Sequence, residues 1–196
     1  MHSPYTSVRM SSTWSIGEPI CSHYWHQLKE VLTMDQRVVG VISWDEMFMQ
    51  FAETAARRSK DPKTQVGACI ASHDNRVLSI GYNGAPAGFD DDLFPWGRDP
   101  LHPLESKYPF VVHAEENAVL NFRGARSEMV GSTLYVTHFC CNECAKTVVQ
   151  SGIKEIVYRD AYVMPNGLTP AALTILKYGG VSHRQLVRDR NVCRTL

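Results

Sequence analysis

The segment His113-Ala-Glu115, taken with Cys141-Asn-Glu-Cys144, constrains this chain more than any other feature. It offers one imidazole, two thiols and a carboxylate. One His and two Cys thiolates suit a tetrahedral Zn²⁺ and leave its fourth position open to water. Cys141 and Cys144 are three residues apart, a spacing that puts both sulfurs on one face at the start of a helix. A helix N-terminus carries partial positive charge and favours thiolate over thiol. His113 opens a second helical pattern, so one metal ion would pin two helix N-termini together. Any fold for this chain has to bring those two helix starts side by side.

Composition fits a metal site better than a disulfide framework. Three of the six cysteines, Cys140, Cys141 and Cys144, crowd into five positions, leaving Cys21, Cys69 and Cys193 dispersed. A reducing, cytoplasmic setting is the expectation. Lys plus Arg and Asp plus Glu number 20 each, for a formal net charge of zero. Such a balance disfavours tight, unspecific binding to a nucleic-acid backbone, which calls for a basic face. No apolar run approaches the roughly 18 residues of a membrane span, and no basic stretch followed by an apolar one marks a signal peptide. The expectation is therefore a soluble protein that binds neither membrane nor nucleic acid.

With 196 residues, one domain is expected. Residues 1–43 read as an extension that is loose at first, with Tyr24, Trp25, Leu28, Val31 and Leu32 on one face of a short helix over 22–34. The alternative is that translation begins at Met34. The domain proper is expected over 44–196. Ser43 before Trp44, Asp45 and Glu46 makes a capping box, and the helix it opens should stop before Asp61-Pro62. Val66–Ala71 and Val77–Tyr82 read as a hairpin around His73-Asp74-Asn75. A long proline-rich loop over 83–110 follows, of a length that is usually functional or disordered. Then come a helix over 113–122, a strand over Leu134–Thr137, a helix from Cys141 to Ser151 ended by Gly152, and a strand over Ile153–Tyr158. A helix over 168–178 closed by Gly179-Gly180 and a strand over Val181–Arg184 complete the pattern. The alternation predicts an α/β fold, a mixed sheet with helices on both faces.

The pattern H-x-E followed by P-C-x-x-C is the signature of zinc nucleobase deaminases, and residues 113–144 resemble it. In that chemistry Glu115 takes a proton from the water at the metal, hydroxide attacks C4 of a cytosine ring, and the proton passes to N3 and then to the leaving amine. The bland alternative is a closed zinc knot completed by His138 or Cys140. For His138 a core or supporting role is the simpler reading.

From Ser43 to Val181 the chain resembles the deoxycytidylate (dCMP) deaminases within the zinc-dependent cytidine/deoxycytidylate deaminase family. The matching words are Ser43-Trp44-Asp45-Glu46, Arg58-Ser59-Lys60-Asp61-Pro62, Thr64-Gln65-Val66-Gly67-Ala68, Gly81-Tyr82-Asn83-Gly84, Lys107-Tyr108-Pro109, the segment 113–121, and Cys141-Asn-Glu-Cys144-Ala-Lys146. The resemblance implies a three-layer α/β/α sandwich around a five-stranded mixed sheet. It implies His113, Cys141 and Cys144 as ligands of one Zn²⁺, Glu115 as the catalytic carboxylate, and conversion of dCMP to dUMP, which feeds thymidylate synthesis. It implies a homohexamer activated by dCTP, with Mg²⁺ on the triphosphate, and inhibited by dTTP. Tyr82, Asn83, Gly84 and Ala114 fall in segments the family uses for nucleotides. One departure stands out: Cys140 occupies the place where the family has Pro. Pro there would fix the backbone, and Cys140 offers a second thiol beside Cys141.

Several side chains are candidates for holding substrate or effector. Asn83 can reach a sugar or base edge, or serve only the Asn-Gly turn. Arg58 and Lys60 can meet a phosphate, or pair with helix C-terminal carbonyls, and Ser59 can donate its hydroxyl. Tyr108 and Phe139 are stacking or core residues. Asp90, Asp91 and Asp92 can approach Mg²⁺ or form a solvated acidic loop. Two rival functions remain at this point. One is another zinc deaminase, acting on cytidine, guanine or tRNA adenosine. The other is a non-catalytic nucleotide-binding regulator, which would have no use for Glu115.

Overall fold

Ser43 opens the first helix as its sequence predicts. Its hydroxyl accepts from the Glu46 N–H at 3.1 Å, and the helix runs over Trp44–Ala56 (α1). The computed structural model describes residues 40–99, 101–163 and 167–187. The expected helix over 22–34, and with it the extension up to residue 39, lies outside the described residues. Beyond Ala56 the turns tighten to bonds three residues back, ending with Ser59 N–H to Ala56 O at 2.9 Å. The helical path therefore ends ahead of Asp61-Pro62.

The elements that follow are Gly67–Ala71 (β1), Val77–Tyr82 (β2), a 3₁₀ turn at Pro103–Glu105, Ala114–Asn121 (α2), Arg126–Met129 (α3) and Thr133–His138 (β3). They continue with Asn142–Ser151 (α4), Glu155–Asp160 (β4), Thr169–Gly179 (α5) and Ser182–Gln185 (β5). The sheet has five strands in the order β2-β1-β3-β4-β5. β1 pairs antiparallel with both β2 and β3, and β3–β4 and β4–β5 are parallel. The β1–β2 turn is tight enough to hold Asn75 at φ 62°, a conformation Asn tolerates better than most residues.

Period-two alternation divides the core into two halves. Cys69, Tyr135 and Val157 face α1 and pack with Phe48, Met49 and Ala52. Ala68, Ile70, Leu134, Val136 and Ile156 face the opposite way, against the apolar sides of α2, α4 and α5. The result is the expected α/β/α sandwich. Only β2 keeps its expected bounds: β1 begins at Gly67 rather than Val66, β3 is one residue longer at each end, and β4 and β5 are displaced toward the C-terminus. Ile153 is fully buried but precedes β4, because apolar character marks burial rather than ladder pairing. β5 begins one residue after Val181, whose N–H instead donates to Leu176 O in the α5 C-terminal turn. No helix among the described residues is long and apolar enough to cross a membrane.

Candidate active site

Two helix starts meet at the C-terminal side of β3. His113 is the N-cap of α2 and Cys141 the N-cap of α4. The His113 Nδ1 lies 3.2 Å from Cys144 Sγ and 3.4 Å from Cys141 Sγ. All three donor atoms fall within 4.8 Å of one another. Zn–N and Zn–S bonds of about 2.0 and 2.3 Å would put tetrahedral donors about 3.6 Å apart, so the spacing suits zinc. Cys144 N–H also donates to Cys141 Sγ at 3.4 Å, as a helix N-terminus does toward a thiolate.

Electrostatics sort the three donors. Hydrogen bonding from Cys144, joined by His113 and opposed by burial, draws the Cys141 thiol down to about 4. Hydrogen bonding to Cys141 raises His113 to about 9 against the effect of burial. Cys144 is pushed up by its bond to Cys141 and by burial. Of the three donors, Cys141 is thus the most readily ionised. Both hydrogen-bonded partners have protons to give up when a cation binds.

Glu115 sits in the first turn of α2 and is 4% exposed. Burial pushes its carboxyl above the ordinary range, partly offset by His113. A carboxyl that holds a proton more readily than usual, next to the metal donors, suits proton transfer in both directions.

Neither His138 nor Cys140, the residues that would complete a closed zinc knot, joins the group among the described residues. Cys140 is a buried thiol packed in the core, and burial raises it further from ionisation. It stands at N′ of α4, one position before the cap, rather than inside the helix. His138 meets Thr137 Oγ1 at 3.3 Å and the edge of Tyr162, and burial lowers its affinity for a proton. Three candidate donors remain, the number that a catalytic rather than a structural zinc takes from protein.

The other candidate residues separate into groups. Arg58, Lys60, Tyr82 and Gly84 line a cleft of about 370 Å³, together with Phe89, Asp91, Trp96, Asn117 and Asn121. The metal donors and Glu115 are not among the lining residues. Lys60 forms an ion pair with Asp91 at this cleft. Asp90 Oδ1 accepts from Asp92 N–H. Ser59 is buried, its hydroxyl accepting from Asp61 N–H at 3.3 Å. Asn83 is buried and bonded to the α1–β1 connection: Oδ1 accepts from Val66 N–H at 2.7 Å and Nδ2 donates to Thr64 O at 3.0 Å. Tyr108 is 58% exposed, with the Lys107 ammonium 5.9 Å from its ring centre. Ala114 is fully buried at the start of α2, and Phe139 packs edge-on against Tyr158 and His183.

Sequence reasoning missed Asn117 and Asn121. Their amides donate to Tyr82 O and Ile80 O, at 2.8 and 3.1 Å, along the free edge of β2. The signal was present: two Asn four apart share a helix face, at the spacing of two alternate strand carbonyls.

The model of the cytidine and deoxycytidylate deaminase zinc-binding region matches residues 42–160. The chain belongs to that family, the zinc-dependent hydrolytic deaminases. More particularly, it is 45% identical over 144 residues to the deoxycytidylate deaminase of Mus musculus, covering 74% of this chain and 80% of the mouse protein. It is 49% identical over 154 residues to the probable deoxycytidylate deaminase of Drosophila melanogaster, covering 76% and 75% of the two chains. Among solved structures, the dCMP deaminase of cyanophage S-TIM5 in complex with dCMP and dUMP matches with a TM-score of 0.56 at 28% identity. That match covers 72% of this chain and 95% of the phage protein.

Proposed function

We propose that this chain hydrolyses dCMP to dUMP and ammonia, supplying the precursor of thymidylate. The observation that carries the reading is the buried Glu115 carboxyl on the same helix start as His113, beside Cys141 and Cys144. The relatives named dCMP deaminases support the choice of substrate.

His113, Cys141 and Cys144 would hold one Zn²⁺, which supplies water acidic enough to serve as a nucleophile near neutral pH. Glu115 would take a proton from the attacking water and deliver it to N3 of the ring as the oxygen bonds to C4. It then helps protonate the exocyclic amine. The C4–N bond breaks, ammonia leaves and the uracil ring remains. Burial of Glu115 keeps its proton from bulk water between the two transfers.

The reading extends to regulation by dCTP as activator, with Mg²⁺, and dTTP as inhibitor, in a cytoplasmic homohexamer whose deaminase domain spans 44–196. The cleft supports it with two cationic side chains, Arg58 and Lys60, and two aromatic ones, Tyr82 and Trp96. Cations match phosphates and aromatic faces match a base.

The test is ammonia release by zinc-loaded protein from dCMP, CMP, deoxycytidine and dCTP, each with and without dCTP–Mg²⁺. Turnover of dCMP above the others is the expected result. Preference for the unphosphorylated nucleoside would overturn the substrate assignment. An unchanged rate with dCTP–Mg²⁺ would overturn the regulation alone.

A further inference from the structure

Away from the metal donors, one carboxylate is enclosed more completely than its neighbours. The Asp61 side chain is inaccessible to solvent. Its Oδ1 accepts from Lys63 N–H at 2.9 Å and Thr64 N–H at 3.0 Å. Its Oδ2 receives the Lys107 ammonium and, at 3.4 Å, the Asn83 amide. Four donors on two oxygens use the acceptor capacity of a carboxylate in full. Lys107 has 8% side-chain exposure and serves as counter-charge. Arg98 approaches Oδ1 at 3.7 Å and donates to Thr64 Oγ1 at 2.6 Å.

Three chain segments converge here. Asp61–Val66 joins α1 to β1, Asn83 directly follows β2, and Lys107 leads toward His113. The Lys107 carbonyl accepts from Phe110 and Val111, and Val112 then exchanges both backbone bonds with Gly84, at 2.9 and 3.0 Å. The next residue is His113. Along the β2 edge, Ile80 is met by Asn121 and Tyr82 by Asn117, so β2 runs opposite to α2. Continuing that course brings Asn83 to the N-terminal end of α2, where His113 and Glu115 stand.

The surroundings also fix which way the Asn83 amide faces. Val66 N–H requires an acceptor, which must be Oδ1. Thr64 O and the Asp61 carboxylate require donors, which must be the two hydrogens of Nδ2. Asn83 therefore has one free hydrogen-bonding capability left, the second lone pair of Oδ1. It can receive a donor and cannot offer one. Deoxycytidylate has two kinds of donor when its phosphate is ionised: the 4-amino group at the reacting carbon and the 3′-hydroxyl.

We propose that Asp61 and Lys107 are positioning residues for the deamination, holding Asn83 as a pure acceptor for the substrate 3′-hydroxyl and tying the backbone before His113 to the end of β2. The inference rests on the dCMP reading above. Asp61 orients the amide, and Lys107 makes a buried carboxylate tolerable there. A contact remote from C4 stabilises ground state and transition state alike, so its loss raises KM more than it lowers kcat.

The test pairs Asp61→Asn with Lys107→Met in one protein, which removes both buried charges at nearly constant shape. The new amide at 61 would face the Asn83 Nδ2 donor to donor and turn it away. Thermal unfolding, zinc content, and kcat and KM are measured for dCMP and for 2′,3′-dideoxycytidine monophosphate. A folded, zinc-replete double variant should show KM for dCMP raised about tenfold, as expected for one lost hydrogen bond, with kcat within about threefold. Its preference for dCMP over the dideoxy analogue should largely disappear. A folded double variant with wild-type KM and wild-type preference overturns the inference. If that protein does not fold, Lys107→Arg, which keeps the charge but alters its shape, should fold and still raise KM; an unchanged KM there overturns it equally. Failure of the wild type to turn over dCMP would instead sink the assigned reaction, and the positioning role with it.

Discussion

Gly81 of β2 lies against Ala118 of α2 with no room for a side chain. A Cβ at Gly81 would overlap the Ala118 amide nitrogen and the Ala114 carbonyl oxygen, and would stand 2.8 Å from the Asn117 carbonyl carbon. Backbone atoms cannot step aside as the end of a flexible side chain can. Ser79, two residues earlier, donates its hydroxyl to Ala118 O at 2.6 Å. The helix that carries Glu115 and begins at His113 is thus seated on the strand edge by direct backbone approach. Gly81→Ala should cost about 3 kcal/mol and shift α2 outward. Denaturant titration should show the loss, and any folded fraction should bind zinc more weakly. A variant with wild-type stability and wild-type zinc affinity would mean that α2 is not held this way.

Glu115→Gln keeps the side-chain shape and removes the carboxyl proposed to carry the proton. Glu115 is buried beside the metal donors without being one of them. Zinc content and dCMP binding should therefore stay near wild type while kcat falls by at least about 10²–10⁴. Metal analysis together with equilibrium binding of dCMP separates this outcome from a damaged site. Retained turnover would remove Glu115 from the reaction.

Much of the site was legible because its signals are local. Cys141 and Cys144 share one helical turn, and His113 and Glu115 are two residues apart, so spacing alone brings each pair together. The Ser43 cap was legible for the same reason. The Asp61–Lys107 pair was not, since its members stand 46 residues apart and each looks like an ordinary surface charge in sequence. Asn83 was readable as a residue of interest, but not the partners that use its amide. Those partners, Val66, Thr64 and Asp61, come from one other segment and meet the amide only once the sheet has formed. The β4 boundary was missed for a different reason. Ile153 is buried at the entry to the strand, and hydrophobicity alone cannot tell an entry residue from a paired one.

Cys140 and Cys141 are adjacent but have opposite surroundings. Cys141 caps α4 and faces His113 Nδ1 at 3.4 Å, whereas Cys140 is 1% exposed within the apolar core. Cys141→Ala should lose stoichiometric zinc and, with it, activity. Cys140→Ala should retain one zinc per chain and most of its turnover, at a stability loss of about 1 kcal/mol for the small cavity. Zinc content by atomic emission and chelator competition would decide. Loss of metal from the Cys140 variant alone would exchange the two assignments.

Arg184 secures the last strand to the first helix. Its guanidinium takes both Asp45 oxygens, at 2.6 and 3.0 Å, and Glu155 Oε1 at 2.9 Å, and Tyr135 donates to the same Asp45 at 2.8 Å. β5 is exposed at all four positions, so this fork does much of the attachment that apolar burial does elsewhere. Hydrogen bonding to Arg184, against some burial, holds the Asp45 carboxyl below its ordinary 3.8. Asp61 is held below 3.8 as well, where burial is outweighed by Lys107 and two backbone N–H groups. A carboxyl with a folded-state value below its unfolded one binds more protons when unfolded. Its contribution is therefore complete above the unfolded value and is lost as pH falls through the folded one. Stability should be flat in this respect from neutral pH to about 5 and should drop below about 4. Arg184→Ala should cost about 1 kcal/mol at pH 7, a small figure because the guanidinium is 43% exposed and screened by solvent. It should also make the acid decline shallower, since Asp45 would return toward its ordinary value. Urea titrations at pH 7, 5 and 3.5 on the two proteins would show the curves converging as pH falls; parallel curves would mean that the Asp45–Arg184 pair contributes nothing that protonation can remove.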